Sequence, residues 1–149
     1  MNRAALSVQT ALAARALELR IRLRFRVPST PLPQILAELT PRPLPPVQMP
    51  GPEMWKVLRI VEALCRRSRM LPDTCLYRAL TRYALLRRFG HPAKFVMGMD
   101  PRARDDLTAH AWVELDGKPY QEVLDARMVV TYVYPDELSA NQGTASSGP

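Results

Sequence analysis

The residues best suited to covalent chemistry in this chain are one of its two cysteines and one of its two histidines. Cys75 follows Asp73 and Thr74, either of which can cap a helix, so the cysteine is expected in a first helical turn. Free N–H groups and the positive end of the helix dipole stabilise a thiolate there, and a thiolate is a nucleophile. His110 lies in a predicted strand, Thr108–Leu115, and could take the thiol proton and later return it to a leaving amine. This pair predicts the acyl-transfer chemistry of cysteine hydrolases.

A third polar group should orient the imidazole, and the register of the hairpin that follows His110 decides which group can do so. A two-residue loop at Asp116-Gly117 would place Val123 opposite His110 and turn Glu122 to the other face of the sheet. A three-residue loop, Leu115–Gly117, with its glycine in the left-handed region and a bulge beside it, would instead place Glu122 opposite His110.

The bulged register also joins better side-chain partners than the two-residue loop does. It pairs Trp112 with Tyr120, two aromatic residues, and Glu114 with Lys118, two opposite charges. We therefore predict the bulged register, with Glu122 as the third member of a Cys–His–Glu triad. The alternative carboxylates are those of Asp125 and Asp116.

Length and composition favour a single cytoplasmic domain. The chain has 149 residues and no apolar run of the roughly 18–20 residues that a membrane-spanning helix needs, and its opening segment lacks a secretory signal. Two cysteines cannot build a disulfide framework, and a four-ligand zinc site would consume every cysteine and histidine in the chain. We expect neither a metal nor a cofactor.

Charge and proline content divide the chain. The net charge is +7, and nine of the fifteen prolines fall between Pro28 and Pro52. A basic balance suits nucleic acid, an anionic membrane surface or an acidic peptide as partner. We predict a basic N-terminal segment and proline-rich wrap over residues 1–52, a catalytic domain over 53–138 and a disordered tail over 139–149.

Helical patterns precede strand patterns along the chain, which predicts an α+β fold with an antiparallel sheet. Ala4–Ala16 is rich in helix formers, whereas Leu17–Val27 alternates apolar and polar residues and is left open between helix and strand. Further helices are predicted over Leu32–Leu39, over Glu53–Arg69 and from Asp73 or Thr74 to Phe89. Strands are predicted over Ala93–Met99, Thr108–Leu115, Lys118–Val123 and Val129–Tyr134.

Four stretches carry a family resemblance: Thr74-Cys-Leu-Tyr-Arg-Ala-Leu, Leu85-Leu-Arg-Arg-Phe-Gly-His-Pro92, Lys94-Phe-Val-Met-Gly98 and Ala109-His-Ala-Trp-Val-Glu-Leu-Asp-Gly117. Together they resemble the transglutaminase-like peptidases of lasso-peptide biosynthesis, the microcin-processing leader peptidase family. The resemblance implies a papain/transglutaminase-like fold, in which the nucleophile begins a helix packed on a small antiparallel sheet. It also implies a Cys–His–Asp triad that removes the leader from a ribosomally made precursor through a thioester. Cys75 matches the nucleophile, His110 matches the base, and Glu122 stands where the family usually has Asp.

The same resemblance implies partners. The family recognises leaders with a small winged-helix-like domain, and residues 1–52 are too short and too rich in proline to be that domain. A separate leader-recognition adaptor is therefore expected, docked on the N-terminal segment or on the cluster of Arg66, Arg67 and Arg69, and a lasso cyclase is a further candidate partner. No motif for RNA binding is visible, so nucleic acid is not expected.

Three functions are compatible with the sequence. The first is the leader peptidase, and the second is a transglutaminase-like acyl transferase in which an amine replaces water as the acceptor. The third is a non-catalytic basic binding module, in which Cys75 and His110 would only be packed or hydrogen-bonded residues of the fold. Cys65 lies on the apolar face of its helix and is expected in the core.

Overall fold

A computed structural model of the chain describes residues 3–102 and 109–136, with side chains from residue 8 onward. The helices are α1 (Arg3–Arg26), α2 (Leu32–Leu39), α3 (Gly51–Arg67) and α4 (Cys75–Arg88). The strands are β1 (Lys94–Met99), β2 (Ala109–Leu115), β3 (Lys118–Pro119) and β4 (Val129–Tyr134). They form one antiparallel sheet in the order β3-β2-β1-β4, so the predicted α+β fold is confirmed. The predicted start of the second strand at Thr108 and the predicted tail over 139–149 lie outside the described residues.

Helix α1 is continuous to Arg26, so the strand alternative for Leu17–Val27 is wrong. The segment consists largely of Leu and Arg, which are strong helix formers, it follows an alanine-rich stretch, and no proline interrupts the helix before position 28. Burial along α1 follows the helical period. The buried side chains are those of Leu12, Ala16, Arg20 and Leu23, which are spaced by four, four and three residues. An arginine therefore lies on the face that meets the core.

The helices and one face of the sheet enclose a single core. Helix α1 packs against α3 and α4, and α4 packs against β2 and β1. Leu12 and Leu36, from the predicted N-terminal segment, belong to the same core as Leu58 and Val113, from the predicted catalytic domain. Among the helices of the described ranges, none has the length and the apolar character needed to cross a bilayer.

The hairpin between β2 and β3 differs from the prediction. Its loop is the two-residue Asp116-Gly117, and it pairs Leu115 with Lys118 and Glu114 with Pro119. Both loop residues have positive φ, 53° and 72°, which is the type I′ geometry that an Asp-Gly pair favours because its twist matches that of the strands. The bulged register is therefore wrong.

The side-chain pairs that supported the bulged register are wrong with it. Tyr120 N–H donates to the Val113 carbonyl over 2.7 Å, so Tyr120 lies opposite Val113 and not opposite Trp112. Glu114 faces Pro119 and not Lys118. The third strand is also shorter than predicted, because it ends at Pro119 and not at Val123.

Gly90 ends α4 and brings the proline-rich segment against it. Its φ is 91°, and a Cβ on it would lie 2.4 Å from the Pro46 carbonyl oxygen, so a side chain has no room there. Gln48 N–H also donates to the Phe89 carbonyl over 3.0 Å. The proline-rich segment is thus packed along the last turn of α4.

Candidate active site

Cys75 is the first residue of α4 and is half-buried. Thr74 precedes it in an extended conformation and makes no side-chain capping hydrogen bond. The first intrahelical bond runs from Arg78 N–H to the Thr74 carbonyl, which leaves the earlier amide groups of the turn without helical partners. Since the first turn also holds no acidic residue, the positive end of this helix acts on the thiol unopposed from within the turn.

His110 lies on β2, the strand against which α4 packs. Its Nε2 is 2.6 Å from Oε1 of Glu122, and each of the two side chains is about a quarter exposed. The buried Trp112 ring stacks beside the imidazole, with the ring centroids 6.0 Å apart and the planes 17° from parallel. The imidazole is therefore fixed by a carboxylate at one nitrogen and by an aromatic plane.

Gln121 explains how Glu122 reaches His110 in a register that does not pair the two residues. Gln121 has a φ of 55°, in the left-handed region, directly after the short ladder of β3. A single left-handed residue changes the direction of the chain and the face to which the next side chain points. The predicted contact between His110 and Glu122 is thus present, but it occurs with a two-residue loop and a left-handed turn residue at Gln121 in place of the predicted bulge at the loop.

Arg82, on α4, holds the other oxygen of the same carboxylate. Its Nη1 is 3.2 Å from Glu122 Oε2, while its Nε and Nη2 donate to the two oxygens of Glu62, on α3, over 2.8 and 2.9 Å. The Arg82 and Glu62 side chains are only 8% and 7% exposed. The guanidinium also lies 4.9 Å from the centre of the Trp55 ring. Sequence reading missed this cluster, which we call the Arg82 cluster (Glu62, Arg82, Glu122 and His110).

The charges of the Arg82 cluster support one another. Burial by itself would lower the pKa of Arg82, but the hydrogen bonds and charge of Glu62 and the charge of Glu122 outweigh it, so the pKa stands above the ordinary value for arginine. With a neutral imidazole, two carboxylates share one guanidinium, and a proton on His110 would bring the cluster to zero formal charge. The arrangement can therefore accommodate an imidazolium.

The contact with Glu122 also selects the tautomer of His110. An ionised carboxylate only accepts hydrogen bonds, so Nε2 carries the hydrogen and Nδ1 keeps its lone pair for a proton from elsewhere. Among the residues that the structure describes, no hydrogen bond joins the Cys75 thiol to His110, so the thiol–imidazole contact of the triad stays a prediction. Such contacts are often long in unliganded enzymes and shorten when substrate binds.

The loop in front of Cys75 is held by α1. Arg20 donates from Nη1 to the Pro72 carbonyl over 2.8 Å and pairs with Asp73 at 3.4 Å, and its own side chain is 0% exposed. Burial lowers the pKa of Arg20, and the charge of Asp73 partly offsets that effect. Arg24 donates to the Met70 carbonyl in the same loop. The sequence analysis does not single out Arg20, although position 20 follows Leu12 and Ala16 at helical spacing.

The other sequence candidates lie away from the imidazole. Asp125 is bonded to Arg127 at 2.7 Å, and this hydrogen bond lowers the pKa of Asp125 to about 2. Asp116 is exposed in the hairpin loop. Cys65 is fully buried, and burial raises the pKa of its thiol, so it stays a protonated core residue. Within residues 3–102 and 109–136, no group of three or more His, Cys, Asp or Glu side chains is placed to hold a metal ion.

The comparisons with known proteins agree with this architecture. The family model of the transglutaminase-like superfamily matches residues 13–133, which run from within α1 into β4. The chain belongs to that superfamily, which includes cysteine proteases and acyl transferases. No curated protein and no solved structure matches the chain.

Proposed function

We propose that this protein is a cysteine endopeptidase that removes the leader from a ribosomally made precursor peptide of the lasso type. Cys75 is the nucleophile, His110 is the general base and acid, and Glu122 orients the imidazole. The observation that carries the proposal is the 2.6 Å contact between His110 Nε2 and Glu122 Oε1, on the strand packed against the helix that Cys75 begins.

The reaction uses the two nitrogens of His110 in different ways. Nδ1 takes the thiol proton, and the Cys75 thiolate attacks the scissile carbonyl carbon to form a tetrahedral oxyanion, with the Cys75 backbone N–H as one donor to it. The C–N bond then breaks, the imidazolium gives its proton to the leaving amine, and a thioester remains on Cys75. Water, deprotonated by His110, attacks the thioester, and the thiol leaves with that proton.

The choice of a precursor peptide as substrate rests on the motifs around the two reacting residues, Thr74-Cys-Leu-Tyr-Arg-Ala-Leu and Ala109-His-Ala-Trp-Val-Glu-Leu-Asp-Gly117. They resemble those of the leader peptidases that act before lasso cyclisation. The proposal therefore includes a separate leader-recognition adaptor and a lasso cyclase as partners. Arg66, Arg67 and Arg69, at and just beyond the end of α3, remain a proposed docking surface for the adaptor.

The test is cleavage of the precursor peptide encoded beside this chain, with and without a recognition adaptor, followed by mass spectrometry. We expect two fragments whose masses add up to that of the precursor plus one water, and no fragments with Cys75→Ala or His110→Ala. Cys65→Ala is the matched control, because it removes the other thiol and should leave cleavage in place. An intact precursor with the wild-type protein and adaptor, or cleavage by Cys75→Ala, would contradict the proposal. A fragment bearing an added primary amine would identify an acyl transferase.

A further inference from the structure

A groove of about 510 Å³ lies at the end of α4 that is remote from Cys75. Its walls are one face of α1, the helix α2, the proline-rich segment and the last turns of α4. Its volume is within the range of about 300–1,000 Å³ that is typical of ligand sites. The α4 residues that line the groove, Ala84, Leu85 and Arg88, follow Cys75 by 9 to 13 residues, which at about 1.5 Å per residue places the groove about 14–20 Å from Cys75 along the helix.

The rim of the groove carries more positive than negative charge, with four arginines against Glu18 and Glu38. Arg15, Arg22 and Arg88 line it, and none of the three has an ion-pair partner among the described residues. The fourth arginine of the rim, Arg26, pairs with Glu38 at 2.7 Å and so neutralises that carboxylate. The free charge of the groove is thus mainly guanidinium.

The floor of the groove is apolar, and this feature favours a peptide over a nucleic acid. Leu19, Leu39 and three prolines line the groove with side chains that are at least partly exposed, whereas Leu23, Ile35 and Leu85 belong to the buried core. Among the described residues that line the groove, no aromatic ring is present to stack a base. Glu18 also lies on the wall, where it would repel a continuous row of phosphates. An acidic peptide that carries an apolar side chain fits both the floor and the rim.

The spacing of the arginines on α1 suits an extended peptide. Arg15 and Arg22 are seven residues apart, which is about 10 Å along the helix, and Arg22 and Arg26 are about 6 Å apart. These intervals correspond to about three and two residues of an extended chain at about 3.3 Å per residue. Two acidic side chains of a peptide running along the groove could reach the guanidinium groups of Arg15 and Arg22, while Arg26 stays paired with Glu38.

We infer that this groove binds an acidic segment of the substrate polypeptide, at least about four residues from the scissile bond along an extended chain. The inference rests on the proposed peptidase function, because it takes the occupant to be the substrate that Cys75 cleaves. The groove then adds affinity for the whole precursor without taking part in the chemistry. Arginine and carboxylate groups form strong charge-assisted hydrogen bonds, which would hold such a segment against an apolar floor.

The test compares Arg15→Glu/Arg22→Glu with Lys56→Glu/Arg59→Glu, a matched control that places the same charge change on exposed positions of α3. Two substrates are used without adaptor: the full precursor, and a short peptide that spans only the cleavage site. We expect the groove variant to raise KM for the full precursor about tenfold or more, while kcat and the cleavage of the short peptide are unchanged. The control should match the wild type on both substrates, and circular dichroism checks that both variants fold.

Binding is measured separately, by fluorescence anisotropy of labelled precursor with the Cys75→Ala protein, which needs no cleavage. Weaker binding by the groove variant alone supports the inference, even where the precursor is not the substrate that is cut. Equal binding by the groove variant and the control overturns it. An effect of the groove variant that appears only when adaptor is added also overturns it, because the groove would then be a docking site for the adaptor.

Discussion

His110 contacts Glu122 across a hairpin whose ladder ends before it reaches either of them. The imidazole Nε2 and the carboxylate Oε1 are 2.6 Å apart, although the last strand pair of β3 is Glu114 with Pro119. Two features position Glu122 in the absence of strand pairing. They are the left-handed turn at Gln121 and the hydrogen bond from Arg82 to Oε2 of Glu122. The geometry of the imidazole therefore depends on residues that do not touch it.

The carboxylate of Glu122 should matter for catalysis far more than for binding. Glu122→Gln keeps the shape of the side chain but places a neutral amide beside Nε2. The amide favours the tautomer with hydrogen on Nε2 less strongly, and it stabilises an imidazolium less than a carboxylate does. We expect kcat to fall by about 10²- to 10⁴-fold with little change in KM. Steady-state cleavage of the precursor measures this, with Glu122→Asp as the variant that retains the charge. Equal kcat for the wild type and Glu122→Gln would exclude the assigned role.

Arg82 should stabilise the fold as well as position Glu122. Arg82→Met leaves the buried Glu62 without its cation, so we expect a loss of about 3–5 kcal/mol in the free energy of unfolding, measured in urea. The double variant Glu62→Gln/Arg82→Met should recover part of this loss, because no unpaired buried charge remains. Arg127→Met is the control: its pair with Asp125 is exposed, and stability should hardly change. Additive losses in the double variant would contradict the coupling of Glu62 and Arg82.

Gln121 should tolerate glycine and resist a β-branched residue. Its φ of 55° costs a branched side chain about 1–2 kcal/mol, so Gln121→Val should lower stability and kcat together, while Gln121→Gly should preserve both. Asp116→Val is the matched control, because Asp116 has a φ of 53° in the hairpin loop but does not precede Glu122. It should lower stability and leave kcat alone. If Gln121→Val and Asp116→Val behave alike in kcat, the turn does not control Glu122.

Tyr120 should make the fold sensitive to alkali. Burial raises the pKa of Tyr120 to about 12, although the charge of Arg82 acts in the opposite direction, whereas an unfolded tyrosine titrates near about 10. Between these values the folded state keeps a proton that the unfolded state loses, so stability falls as the pH rises from about 10 to about 12.

Tyr120→Phe should make that fall shallower, as measured by urea unfolding at a series of pH values. At neutral pH the same variant should lose about 1 kcal/mol, because the Tyr120 hydroxyl no longer donates to the Gly51 carbonyl at 2.8 Å. Parallel profiles for the wild type and the variant would show that Tyr120 does not titrate in this range.

The order of helices and strands could be read from the sequence, because their periodicities are local. Helix α2 and strand β4 have the predicted bounds, and Cys75 begins its helix as the preceding capping residues indicated. The bounds of β3 could not be predicted, since Gln121 adopts a left-handed conformation that its residue type gives no reason to expect. The sequence therefore predicts the contact between Glu122 and His110, but it predicts the wrong register for the hairpin that joins them.

The pairing of the buried charges could not be predicted from the sequence for a different reason. Glu62 and Arg82 are 20 residues apart on two helices, and only the packing of those helices makes them partners. Arg20 gave a weak signal, because it continues the spacing of Leu12 and Ala16, but an arginine at such a position usually lies in solvent. The sequence pattern shows which positions face inward and does not show which charges meet there.

The hold of Arg20 on Pro72 and Asp73 has a consequence for the minimal catalytic fragment. The proline-rich segment has the composition of a linker, yet Arg20, whose guanidinium holds the turn before Cys75, lies on α1, which precedes that segment in the sequence. A fragment that starts at Glu53 would keep the nucleophile, the imidazole and the carboxylate and would still lose the anchor of its own nucleophile. Conversely, a single backbone cut within residues 41–50 should leave two pieces that co-purify as one working enzyme.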